Sequence, residues 1–110
     1  RRSDPTCERF VPVHCDIFIT EATFGLPVFQ HPDTGGEIDR LLARLRDNPE
    51  RCVVVGAYAL GKAQRVITEV RARGHLDPIY VHGAIERLNR LYSDWGIDLG
   101  ELPRTSSRVG

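Results

Sequence analysis

Gly56, Gly61 and Lys62 carry the clearest chemical pattern in the chain, in the run Gly56-Ala57-Tyr58-Ala59-Leu60-Gly61-Lys62. At this spacing glycines let backbone N–H groups close on a phosphate, the lysine reaches its oxygens, and a hydroxyl at the next position holds magnesium. Ala63 stands at that next position and has no hydroxyl. Tyr58 and Leu60 also fill a cradle that small residues usually form. The pattern therefore speaks against a nucleoside triphosphate and for a glycine turn that aims a helix N-terminus at an anion. The plain alternative is a strand-to-helix turn with Lys62 solvated. A lysine in a first helical turn opposes the helix dipole, which favours a negatively charged partner. Gly56, Tyr58, Gly61 and Lys62 are the candidate phosphate- or nucleic-acid-binding residues.

A second candidate is Glu21, which follows the apolar run Ile17-Phe18-Ile19 and Thr20. A carboxylate at the end of a buried strand is partly desolvated and can orient or deprotonate a histidine. The competing reading is that it caps the next loop through backbone N–H groups. Cys7, His14 and Cys15 offer thiols and an imidazole, but not at the C-x-x-C spacing of structural zinc sites. A buried thiol is the expectation there. His31, His75 and His82 stand singly, so the chain presents no metal site of its own. Tyr80 edges either the core or a pocket, and Trp95 is expected in the core.

The elements that must position these residues follow from periodicity. Cys52-Val53-Val54-Val55 is a short, mostly β-branched run that reads as a buried strand. Ala63, Val66, Ile67 and Val70 then repeat at helical spacing, and Gly74 stands where a C-cap belongs. Upstream, 10–13 reads as an edge strand broken by Pro12, and 15–20 as a clear strand. Gly36 to Asn48 is a helix with Ile38, Leu41, Leu42 and Leu45 on one face, stopped by Asn48-Pro49. Ile79-Tyr80-Val81 is a further short strand. A last helix starts near Ala84, with Ile85, Leu88, Leu91, Tyr92 and Trp95 facing the core and Gly96 as its cap. Strands alternating with helices predict an α/β fold with a parallel sheet, whose ligands collect at the carboxyl ends of the strands.

At 110 residues the chain has room for one small core, and acidic and basic residues balance at 15 each. No global field therefore points to nucleic acid or membrane, while a local basic patch is compatible with that balance. No apolar run is long enough to span a bilayer, and the start of the chain has no signal-peptide core. Three cysteines, an odd number, favour a reducing cytoplasmic setting over a disulfide framework. The opening Arg1-Arg2 and the polar ending Thr105-Ser106-Ser107-Arg108 suggest a piece of something longer, with a disordered tail.

Three motifs in order give the chain a family likeness. Asp16-Ile17-Phe18-Ile19-Thr20-Glu21-Ala22-Thr23-Phe24-Gly25 resembles the strand and "E-(S/A)-T-(Y/F)-G" segment of metallo-β-lactamase-fold nucleases that carry a β-CASP domain. Val55 to Gln64 resembles that family's "FALGRAQE" helix start, with Lys62 where many members have arginine. Pro78-Ile79-Tyr80-Val81-His82-Gly83 is similar to its following "PIYV" strand. Together with Arg1-Arg2 and Asp4-Pro5-Thr6-Cys7, these segments resemble the bacterial DNA-ligase-associated exonucleases and mRNA 3′-end-processing-factor-like proteins. The likeness spans about residues 1–103.

The resemblance implies a zinc-dependent hydrolase that cleaves phosphodiesters of DNA or RNA, in repair or RNA processing, with a metal-bound hydroxide as nucleophile. Glu21 would match the acidic residue of the first β-CASP motif, which orients a downstream histidine. The family's H-x-H-x-D-H ligands would lie before Arg1 and its later histidines beyond Gly110, so that zinc is absent from this piece. Residues 1–30 would end the metallo-β-lactamase segment, 31–103 would form the front of a Rossmann-like β-CASP domain, and 104–110 a tail. The implied partners are DNA or RNA, the flanking parts of the same protein and a DNA ligase. A small phosphate- or nucleotide-binding α/β module and a non-catalytic interaction domain are the alternatives.

Overall fold

A computed structural model describes residues 4–105. Helix α1 spans Thr34–Asp47. It starts two residues before the expected Gly36, because the Asp33 carboxylate accepts the Gly36 N–H at 3.1 Å and so caps the first turn. At its other end the Asn48 side-chain amide donates to the Arg44 carbonyl at 3.0 Å, and Pro49 follows. Helix α2 spans Lys62–Ala72, with Gly61 at φ 86° before it. Gly74, at φ 88°, donates its N–H to the Arg71 carbonyl at 2.9 Å, as a glycine just past a helix end does. A 3₁₀ turn over Gly83–Ile85 leads into α3, Glu86–Asp94. The His82 Nδ1 accepts the Ala84 N–H at 3.1 Å and caps that turn. Gly96, at φ 89°, closes α3 as expected.

The core is small. Ile38 of α1, Ala63, Ile67 and Val70 of α2, Val81 and Leu99 are its buried apolar residues. Helices α1 and α2 are tied at the surface by Arg73, whose Nε lies 2.7 Å from Asp39 and whose Nη1 lies 3.2 Å from Glu69. The C-terminal stretch is tied back by Arg71. Its guanidinium donates to the carbonyls of His75 at 2.8 Å, Asp77 at 2.5 Å, Leu99 at 3.1 Å and Glu101 at 2.9 Å. Gly100 passes so close that a Cβ there would fall 2.6 Å from Arg71 Nε, and its φ is 68°. Beside this clamp 79–81 runs parallel to 101–105, with Ile79 N–H on the Glu101 carbonyl at 3.1 Å and Val81 N–H on the Pro103 carbonyl at 2.9 Å.

That contact is a single bridge, Val81 to Arg104, and it corrects the expected fold. The described residues are 36% helical and 2% strand with no sheet, so neither the parallel α/β sheet nor the metallo-β-lactamase strand segment is formed. No backbone hydrogen bond joins 15–20 or 52–55 to another described segment. Val54 is 87% exposed and Ile19 90% exposed, where a parallel strand would be covered on both faces. β-branched, apolar composition suits a pleated, half-buried surface, but composition alone supplies no neighbouring strand. Residues 10–13 are likewise exposed and form no edge strand.

Other expectations also shift. Trp95 and Leu91, read as core, are 82% and 49% exposed. They line a cleft of about 510 Å³ between α3 and residues 5–8. All three cysteines are exposed, not buried. Arg104 and Thr105, the start of the expected tail, are held by Val81, and the remainder of that tail and Arg1-Arg2 lie outside the described residues.

Candidate nucleic-acid interface

The turn before α2 is built mainly from its own backbone. The Ala63 N–H donates to the Tyr58 carbonyl at 3.0 Å, and the Arg65 N–H to the Gly61 carbonyl at 2.9 Å. Gly61 alone takes a positive φ here, which a side chain would oppose. Lys62 is the first residue of α2 and is exposed, and Tyr58 is exposed beside it. Gly56 is also exposed, with open space where a Cβ would stand. The structure thus brings Tyr58, Gly61 and Lys62 to one helix start, with Gly56 leading into it.

Beneath the turn lies a polar pair that periodicity does not reveal. Gln64 is fully buried. Its Oε1 accepts the Gly61 N–H at 2.7 Å, and its Nε2 donates to the Ala59 carbonyl at 2.9 Å and to Asn89 Oδ1 at 2.8 Å. Asn89 of α3 is 6% exposed, and its Nδ2 has no partner among the described residues. Two signals in the sequence point at this pair. Gln64 stands three residues after the N-cap, the capping-box position. Asn89 interrupts the apolar face of α3 between Ile85 and Tyr92.

Glu21 lies apart from this turn in the chain, in the irregular stretch before α1, and is exposed rather than desolvated. Its Oε1 accepts the Thr23 N–H at 2.6 Å and also the Thr23 hydroxyl. The Gly25 N–H meets the Ala22 carbonyl at 2.9 Å, so the carboxylate caps a local turn. Phe24 and Phe29 close this loop edge to face at 5.2 Å, and His31 Nε2 donates to the Phe24 carbonyl at 3.2 Å. These contacts match the capping alternative for Glu21.

The implied zinc has no fitting donor set here. Among the described residues no three His, Cys, Asp or Glu side chains gather as metal ligands. Asp4, near the start, is pushed up by burial, but hydrogen bonds from the Thr6 hydroxyl and N–H, with the Arg65 charge and Cys7, outweigh this and hold its carboxyl below the ordinary value. Among the described residues no helix is long and apolar enough to cross a membrane. Compared with known families, curated proteins and solved structures, the chain matches none of them.

Proposed function

We propose that this chain is part of a zinc-dependent nucleic-acid phosphodiesterase, a DNA exonuclease of nucleic-acid processing or repair, working in the cytoplasm. The observation that carries the reading is the order of three motifs, Thr20-Glu21-Ala22-Thr23-Phe24-Gly25, Val55 to Gln64 and Pro78 to Gly83. The exposed Lys62 at the start of α2 supports it, because a solvent-facing cation suits a phosphate backbone. The zinc ligands belong to flanking parts of the same protein, and a DNA ligase is its working partner. The wide apolar exposure at 52–55 and 17–19 supports flanking parts as a covering partner.

The test restores the flanking sequence and measures zinc-dependent degradation of labelled DNA beside the 110-residue chain. The expected result is activity in the extended protein and none in the chain alone. DNA degradation by the chain with added zinc, or an inactive zinc-loaded extended protein, refutes the assignment.

A further inference from the structure

We infer that the cleft between α3 and residues 5–8 binds a small alkylammonium cation, with Glu8 meeting its charge and Trp95 and Tyr92 its N-alkyl groups. This site is separate from the nucleic-acid reading above and does not depend on it. One wall is a turn built on Asp4. The Thr6 N–H and hydroxyl donate to the Asp4 carboxylate at 2.9 and 2.7 Å, and the Cys7 N–H donates to the Asp4 carbonyl at 3.2 Å. That turn presents Pro5 and Glu8 to the cleft. The other wall is the end of α3, where Leu91 and Trp95 stand one turn apart on a single face. Gly96, at φ 89°, then reverses the chain, and the Ile97 N–H donates to the Tyr92 carbonyl at 3.0 Å, which brings Ile97 to the same wall. The Tyr92 hydroxyl lies 4.0 Å from where a Gly61 Cβ would stand, so its ring reaches from the cleft to the start of α2.

The chemistry of these walls selects the guest. The cleft holds about 510 Å³, within the range of about 300–1,000 Å³ that small-molecule sites occupy. Trp95 is 82% exposed, so its indole face is open to whatever enters. Glu8 is the one charged residue lining the cleft, and its carboxylate makes no hydrogen bond or ion pair among the described residues. An anion is therefore repelled, and a neutral apolar guest leaves the carboxylate without a partner. A metal ion needs several oxygen ligands, and among the described residues no three such side chains gather. An ammonium carrying alkyl groups meets each demand. Its charge faces Glu8 and the electron-rich rings, while its carbons rest on Leu91, Ile97 and Pro5.

Trp95 is the single tryptophan of the chain, so its fluorescence reports from the cleft itself. The full chain is titrated with choline at constant ionic strength, beside dimethylbutanol, the uncharged carbon isostere of choline. The expected result is a saturable change in Trp95 emission with choline and none with the isostere. Glu8→Gln keeps the shape and removes the charge, and calorimetry should find choline binding weaker by about 5-fold, the size of one cation contact at an open site. Trp95→Leu should weaken it by a similar factor. Both side chains are exposed, so the thermal midpoints of the two variants should match the parent. Glu8→Asp should recover part of the affinity. Equal binding of the isostere would make the cleft merely apolar and overturn the inference. So would choline binding untouched by Glu8→Gln, or no saturable change in emission. A peptide carrying one trimethyllysine, bound more tightly than choline, would overturn the small-molecule assignment and put the cation on a protein partner.

Discussion

Two carboxylates show how much a side chain's immediate neighbours decide. Asp4 is desolvated, yet the Thr6 bonds at 2.9 and 2.7 Å and the Arg65 charge hold its acid below the ordinary value. A lowered native pKa means that the ionised form is favoured by folding. Its contribution is present above the unfolded carboxylate value of about 3.9 and is lost as the pH falls through the lower native value. An NMR titration should therefore show the Thr6 amide keeping its hydrogen-bonded position until the pH is below the ordinary aspartate range. A midpoint above that range would contradict the balance of causes. Glu21 poses a different question, because Glu21→Gln keeps an oxygen for the Thr23 N–H and so preserves the turn. In the extended protein the variant should lower turnover on the order of 10–100-fold with zinc content near normal, the scale of a lost ligand-orienting group. Full activity would leave Glu21 as a turn cap only. The capping role was legible in the sequence from a carboxylate two residues before Thr23; its exposure was not, since that depended on a sheet.

At the scale of elements, the helices could be read and the strands could not. Helical periodicity is a local property: the apolar spacing of Ala63, Ile67 and Val70 needs only one face to be covered, and Gly74 and Gly96 mark the ends by backbone conformation. The run at 52–55 has strand composition, but composition names no neighbour to bond with. The same limit explains Trp95 and Leu91, whose place on a face of α3 was inferable while the absence of a helix or sheet opposite them among the described residues was not. At the candidate site Gly61 and Lys62 were found from the glycine spacing. Asn89 marks itself only as a break in the apolar face of α3, and its partner Gln64 stands 25 residues away in the chain.

The whole molecule is longer than its residue count suggests. Its radius of gyration is 16.6 Å and its long axis 58 Å, against about 13 Å expected for a compact domain of about this size. Residues 7–33 are exposed throughout, and Val54, Val55 and Tyr80 leave one side of the α1–α2 pair apolar and open over about 560 Å³. Against that open side, the Arg71 clamp is a closed one, and it has a consequence in time. Helix α2 can form from neighbours three and four residues apart, but two of the carbonyls that satisfy Arg71 lie 28 and 30 residues further along the chain. Closing loops of that length costs entropy before the contact repays it, so the guanidinium must wait for Leu99 and Glu101 after its helix has formed. Arg71→Lys, a compact cation without the planar fork, should then act mainly after the rate-limiting step. Stopped-flow measurements should show unfolding accelerated several-fold with the refolding rate nearly constant. A variant that refolds slowly and unfolds at the parent rate would instead place the clamp among the first contacts the chain makes.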